Sequence, residues 1–280
     1  MGVVGMFRTR ILIFSLIFVS FCFAEKMTLA TWNIRYANVE DSVRGNAWSK
    51  RLEHIVQMIR FYDFDIVGMQ EVRNGQAEDL EKALPEYELI QKDSSESNLI
   101  LFKRDSIVLL DSGKFWYSET PYERSLGWDS KIIRFCAWAK FSFRGKVLVF
   151  FNAHWDHKGR LARKESARLT VRQMNEISNG EASIFCGDLN TDPKSSPIEI
   201  LKASKFLRNA SENAEIRYAP ANSFNGFSVG RPSDWQLDHI FTSRDIRIFR
   251  YGVLNDMYWD GDTWRYPSDH LPVMIQIRWP

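Results

Sequence analysis

The sequence predicts a layered α/β sandwich, on two observations. Apolar runs of strand length dominate the chain, and helical stretches are interspersed among them rather than gathered in a block. Many of these runs, KVLVFF and DIVGM among them, are apolar throughout instead of alternating, which is the pattern of strands covered on both faces.

In order, MTLATW (27–32) reads as the first strand. After a polar loop comes WSKRLEHIVQMIRFY (48–62), where Leu52, Ile55, Val56 and Ile59 recur at helical spacing and Trp48 and Met58 flank the same face. DIVGMQEV (65–72) reads as a strand, and AEDLEKAL (77–84) as a short helix that stops before Pro85. YELIQ (87–91), NLILFK (98–103), IVLLDSG (107–113), IRFCAWAKF (133–141) and KVLVFFNA (146–153) are strands. Residues 164–177 form a long helix, SIFCGDLN (183–190) a strand and PIEILKAS (197–204) a short helix. QLDHIFTS (236–243), IRIFRYGVL (246–254) and LPVMIQIRW (271–279) are the late strands. Trp32, Trp138 and Trp155 are expected in the core.

The 280 residues are 45% hydrophobic and 26% charged, an ordinary globular composition, with no repeat or low-complexity tract. A single domain is expected over residues 25–280. Residues 1–24 differ: Arg8 and Arg10 precede ILIFSLIFVSFCFA, a basic region and an apolar core of signal-peptide length. That core is short for a bilayer span, which needs about 20 apolar residues. A cleaved signal peptide ending at Ala24 is therefore expected, with an uncleaved anchor as the alternative, and a secreted or periplasmic location. Losing Arg8 and Arg10 leaves equal numbers of basic and acidic residues. A neutral chain lacks the general electrostatic footprint for nucleic acid, which argues against tight nonspecific DNA binding without excluding a nuclease. Cys136 and Cys186 sit in apolar runs and read as small buried hydrophobes, too few for a disulfide framework.

The polar residues at strand ends carry the functional signal. Asn33 follows MTLATW, Glu71 ends DIVGMQ, and Asn152 and His154 end KVLVFFNAH. Asp188 and Asn190 end SIFCGDLN, Asp238 and His239 open a late strand, and Asp269 and His270 precede the last. Singly, each has a turn or capping explanation. Together they place acids, amides and imidazoles where α/β folds gather functional groups.

These motifs, TWNIR, DIVGMQEV, NAHWDH, FCGDLNTDP, QLDHIF and SDHLPV, stand in an order that resembles the endonuclease/exonuclease/phosphatase superfamily over nearly the whole chain beyond the leader. GDLN followed by SDHLP is the specific part, and the FWYSETP and GWD segments resemble a bacterial secreted subgroup. The resemblance implies a four-layered α/β sandwich of two packed mixed β-sheets flanked by helices. It implies Glu71 as the principal metal ligand, supported by Asn33, with Asp269 near the metal. Asp188 would orient and deprotonate the attacking water, and Asn190 would hydrogen-bond a phosphoryl oxygen. His270 would contact phosphate or act as base, steadied by Asp238, and His154 would be the second catalytic imidazole. In the deoxyribonuclease-like branch a glutamate and an arginine accompany that histidine; Glu96 in ESNLILFKR and Arg134 in KIIRFCAW fit those places, Arg134 as a phosphate ligand. Asn152 braces the loop and counts with Arg134 as substrate-binding.

Phosphate esters resist attack because their oxygens are negative, so catalysis is chiefly positioning and charge stabilisation. Glu71, Asn33 and Asp269 suit Mg²⁺, with Mn²⁺ as the alternative, because a hard cation takes oxygen ligands. No clustered His and Cys spacing suits zinc. Carboxylate partners raise an imidazole's pKa and fix its tautomer, equipping two histidines for acid–base work. Asp156 and His157 bind substrate, bind a second metal or order the loop. Arg163, Arg168 and Arg172 read as a solvated helix face. The aromatic segments MYWDGDTWRYP and FWYSETPYERSLGWD either stack on a base or sugar, dip into a lipid interface, or pack on themselves. The expected function is a secreted metal-dependent phosphoesterase acting as a monomer on nucleic acid, a sugar phosphate or a lipid head group. The alternatives are a deoxyribonuclease-like nuclease, a sphingomyelinase-like lipid phosphodiesterase, and a non-catalytic binding module.

Overall fold

The computed structural model describes residues 25–73, 75–90, 98–231 and 233–279, together with Gly2. The leader expected over residues 1–24 and the glutamate expected to pair with His154, Glu96, lie outside the described residues.

The first half of the chain runs β1 (Glu25–Asn33), α1 (Val39–Val43), α2 (Trp48–Phe61), β2 (Ile66–Gln70), α3 (Gln76–Ala83), β3 (Tyr87–Ile90), β4 (Leu99–Lys103), β5 (Val108–Trp116) and β6 (Phe135–Phe143). Next come β7 (Lys146–His154), α4 (Arg160–Ser178), β8 (Ala182–Asp188), α5 (Ser196–Ala203), β9 (Leu207–Asn209), α6 (Ala210–Asn213) and β10 (Ile216–Tyr218). The last are β11 (Asp238–Ser243), β12 (Arg247–Val253), the hairpin β13 (Tyr258–Trp259) and β14 (Trp264–Arg265), and β15 (Val273–Trp279). A seven-stranded sheet has the order β10-β12-β15-β1-β2-β4-β3, and a six-stranded sheet the order β5-β6-β7-β8-β11-β9. Both are mixed: β1 runs parallel to β2, and β7 to β8, among antiparallel neighbours.

Side-chain alternation explains the uninterrupted apolar runs. Along β7, Leu148 and Phe150 enter the core between the sheets, while Val149, Phe151 and Ala153 face α4 and α5. Along β1, Met27 and Leu29 face the other sheet, while Ala30 and Trp32 pack with α2 and α3. Each sheet is thus buried on both faces, and the order helix, sheet, sheet, helix gives the expected four layers. Cys136 and Cys186 are buried and unpaired, and they join cores on opposite faces of the second sheet.

Two sequence expectations are corrected, and one that was left open is decided. The long helix begins at Arg160, before the expected 164, because the Asp129 carboxylate accepts from the Leu161 and Ala162 N–H groups at 3.2 and 2.6 Å. That cap comes from a remote loop, so local spacing does not report it. MYWDGDTWRYP folds on itself as β13–β14, with Trp259 and Trp264 edge-to-face. Trp32 and Trp155 are fully buried, whereas Trp138 is only half-buried.

Candidate active site

Strand register assembles the site. His154 at the end of β7 pairs with Asp188 at the end of β8, and Asp188 pairs in turn with Asp238 at the start of β11. Three polar residues from distant parts of the chain therefore stand side by side at one edge of the second sheet. Gly187 permits it: its φ is +150°, and a Cβ there would meet the Ala153 carbonyl oxygen at 1.9 Å. In the first sheet Asn33 pairs with Gln70, and Glu71 follows. Ser268 Oγ donates to the Asn33 carbonyl at 2.7 Å and Trp32 Nε1 to the His270 carbonyl at 3.0 Å, which ties the segment carrying Asp269 and His270 to the end of β1.

Asp188 is the hub where the sheets meet. Its Oδ2 accepts from Asn33 Nδ2 at 3.1 Å and lies 3.3 Å from His154 Nε2 and 3.7 Å from His270 Nε2. Its Oδ1 accepts from the Asn190 backbone N–H at 3.0 Å. His270 Nδ1 sits 2.8 Å from Asp238 Oδ2. Burial pushes Asp188 up to about 7, although His270 pulls it down. Burial alone would lower His270, but Asp238 and Asp188 together hold it up at about 10, so it is an imidazolium at neutral pH. His154 goes the opposite way: burial, Arg134 and His270 push it well below its ordinary value, so it is neutral. Among the described residues its Nδ1 has no hydrogen-bond partner. One carboxylate thus lies between a charged and an uncharged imidazole.

Across the cleft, Glu71 and Asp269 share a guanidinium. Arg35 Nη1 is 3.9 Å from Glu71 Oε2, and Arg35 Nε is 3.8 Å from Asp269 Oδ2, while Nε also donates to Asp41 Oδ2 at 2.8 Å. Arg35, Glu71 and Asn190 all adopt left-handed backbone, with φ of +55°, +61° and +48°, a concentration of strain at the cleft. Arg134 is buried; burial lowers its pKa to about 10, while Asp188, Glu71 and Asp156 pull it upward.

Two sets of residues compete as a cation site. Asp188, Asp238 and His270 offer ligand atoms within 4.8 Å of one another. Those atoms are already engaged: Asp238 with His270, and Asp188 with Asn33 and Asn190. Glu71 and Asp269 fit a hard divalent cation better. They are two carboxylates that share the Arg35 guanidinium, and Asn33 Oδ1, which accepts from the backbone N–H of the same Arg35 at 3.0 Å, keeps a second lone pair.

Asn152 is not at a substrate surface. Its Nδ2 donates to the Met69 and Leu99 carbonyls at 2.9 and 2.7 Å, and its Oδ1 accepts from Gln70 Nε2 at 2.6 Å, so it clasps one sheet to the other. The substrate-binding role expected for it is corrected accordingly: the amide is fully buried with both ends engaged. Asp156 orders the loop, its carboxylate accepting four backbone N–H groups from Lys131, Ile132, Lys158 and Gly159. His239 lies beside the site, with Nε2 2.9 Å from the Thr191 carbonyl.

The sequence reading gave no role to Arg35 or Arg51. Arg35 ends the TWNIR motif itself. Arg51 is fully buried and donates to the carbonyls of Asn46, Ile34, Pro267 and Arg35, holding together the loops on either side of the acid pair. The available signal was a charge in register with Trp48 and Ile55 on the apolar stripe of α2.

Residues 30–270 match the model of the Endonuclease/Exonuclease/phosphatase family. The chain belongs to that family. It is accordingly a metal-dependent hydrolase of phosphate esters. An endonuclease/exonuclease/phosphatase family protein from Bacteroides thetaiotaomicron is 35% identical, with 91% of this chain and 98% of that one covered at a TM-score of 0.88. A mannosyl-6-phosphatase from the same organism is 36% identical, with 90% and 99% covered at a TM-score of 0.86. D. rerio TDP2, solved with a single-strand DNA product, is 17% identical, with 90% and 99% covered at a TM-score of 0.73, a likeness of fold alone. No curated protein matches the chain.

Proposed function

We propose that this family member is a secreted, Mg²⁺-dependent phosphomonoesterase that removes phosphate from a sugar. The observation carrying the chemistry is the buried Asp188 carboxylate between a charged and a neutral imidazole, joined through Asn33 to Arg35, which holds the Glu71–Asp269 pair. The substrate class is supported by the 36% identity to a mannosyl-6-phosphatase over nearly the whole of both chains. The equal basic and acidic counts beyond the leader favour a small substrate over a polyanion. The leader with Arg8, Arg10 and its apolar core supports export, and an exported protein beginning at Glu25 is the expected product.

Glu71, Asp269 and Asn33 would hold the cation through oxygen atoms. When bound, the cation supplies positive charge against the phosphoryl oxygens. Asp188, with its raised pKa, takes a proton from the attacking water as the new bond to phosphorus forms. The bond from phosphorus to the sugar oxygen breaks, that oxygen takes a proton from solvent, and Asp188 returns its own proton to solvent, so that inorganic phosphate and the sugar alcohol are released. His270 carries the proton at Nε2 and donates to the phosphoryl group, with Asp238 fixing its ring. Arg134 and the Asn190 side chain bind the remaining phosphoryl oxygens, and neutral His154 positions Asp188. Glu96 is kept as the proposed partner of His154.

Purified protein is to be assayed on mannose 6-phosphate, bis-p-nitrophenyl phosphate and plasmid DNA, with Mg²⁺, Mn²⁺ or EDTA. Phosphate release from the monoester, abolished by EDTA, is expected. Glu71→Gln should lower kcat/KM roughly 10²–10³-fold, the scale for losing one group that stabilises transition-state charge. Unchanged turnover in that variant, or cleavage of DNA alone, would reject the proposal.

A further inference from the structure

A cavity of about 780 Å³ opens beside the phosphate-side residues, between the first turns of α4 and α5 and the segment before β11. Its walls continue the active site: Asn190 lines it, and so does Leu237, the residue preceding Asp238. The volume falls in the range of pockets that enclose a whole small ligand, about 300–1,000 Å³, and far exceeds what a phosphate group requires. Its lining includes Trp235, a residue 62% exposed. The same lining holds Asp192, Asp234 and Gln236, with the basic Arg160, Arg163 and Lys164.

This chemistry suits a saccharide. A pyranose has an apolar face of C–H bonds that packs on an indole and a rim of hydroxyls that need both acceptors and donors. Asp192 and Asp234 offer acceptors, Arg160 offers donors, and Gln236 offers both. Asp192 keeps acceptor capacity: among the described residues its carboxylate is engaged only at Oδ1, by the Lys194 N–H at 2.8 Å. A lipid chain would find a wall that is half polar. The α4 N-terminus adds no anion site, since the Asp129 carboxylate already occupies it.

We infer that this cavity is the subsite for the sugar portion of the substrate, with Trp235 as its stacking platform. The inference rests on the sugar-phosphatase reading and adds to it the place where the carbohydrate lies. It follows that the site discriminates sugar phosphates from phosphate esters lacking a ring.

The test compares kcat/KM for mannose 6-phosphate with kcat/KM for glycerol 3-phosphate, in wild type, Trp235→Ala and Trp235→Phe. The ratio should fall roughly tenfold in Trp235→Ala, the loss of about one stacking contact, through a raised KM for the sugar ester. It should recover in Trp235→Phe, which keeps a ring, and Trp235 is exposed enough for both variants to fold. A ratio equal to wild type in Trp235→Ala overturns the subsite and leaves the sugar-phosphatase reading standing. Wild-type enzyme that cleaves glycerol 3-phosphate and no sugar phosphate overturns that reading, and the subsite with it.

Discussion

Asp188 shows how burial and neighbours set the chemistry of single groups. Its carboxyl is almost wholly removed from solvent, and burial raises its pKa to about 7, against the pull of His270. A base works only when deprotonated, so kcat/KM should rise with pH as Asp188 loses its proton near neutrality. Asp188→Asn should remove that acid limb and lower kcat roughly 10²–10⁴-fold while thermal unfolding stays close to wild type. A pH–rate profile of both proteins, paired with melting curves, checks it; an unchanged acid limb in the variant would assign the titration elsewhere. At this scale the sequence named the hub and its histidines, because polar residues ending apolar runs are conspicuous. It gave no indication that the two imidazoles differ in charge. That difference comes from which acids and guanidinium groups lie nearest each ring.

At the scale of elements, the loop after β7 depends on one side chain. NAHWDH carries Asp156 as its fifth residue, and the sequence left open whether this acid binds substrate, binds metal or orders the loop. Four backbone N–H groups converge on it, two from residues 131–132 and two from residues 158–159. Burial would raise its pKa, and these N–H groups outweigh burial and lower it. Its stabilisation is therefore complete above the ordinary carboxylate value near 3.8 and is lost as pH falls through the lower folded value. Asp156→Ala should cost on the order of 3 kcal/mol at neutral pH, since each buried donor left unpaired costs about 1–3 kcal/mol. Urea unfolding from pH 7 down to pH 2 checks it: the gap between wild type and variant should narrow only in the most acid range. A gap independent of pH would mean that the carboxylate is not the source. Helices and strands were legible from periodicity, but their caps and loop anchors were not. Asp129 capping α4 and Asp156 fastening its loop both act across tens of residues.

The whole molecule is two sheets that must meet in register for the acid–imidazole edge to face the acid pair. Gly68 and Asn152 mark the polar seam, where a Cβ on Gly68 would come within 2.8 Å of Asn152 Oδ1. Asn152→Ala would take the Nδ2 donor from the Met69 and Leu99 carbonyls, while Gln70 Nε2 keeps Thr31 Oγ1 and the Gly68 carbonyl as acceptors. A loss on the order of 3 kcal/mol in unfolding free energy is expected, with KM for substrate kept in the folded protein. A raised KM at wild-type stability would restore Asn152 to the substrate. Arg51 acts at the same scale, its guanidinium joining β1, the α1–α2 loop and the segment before His270. Its signal in the sequence, a charge on an apolar helix stripe, did not identify its partners.

By itself the sequence determined the layered α/β class, because strands buried on both faces must be apolar at every position, and that is a local property. It also determined the motif order that marks the family, and the acids, amides and imidazoles at the strand ends. The tertiary structure alone decided which of them meet. Asn152 went to the seam between the sheets, Asp156 to its loop, and Asp188 to the place between two histidines. Proximity of residues 33, 188 and 270 follows from strand order and register, which depend on the packing of the whole chain rather than on any window of it.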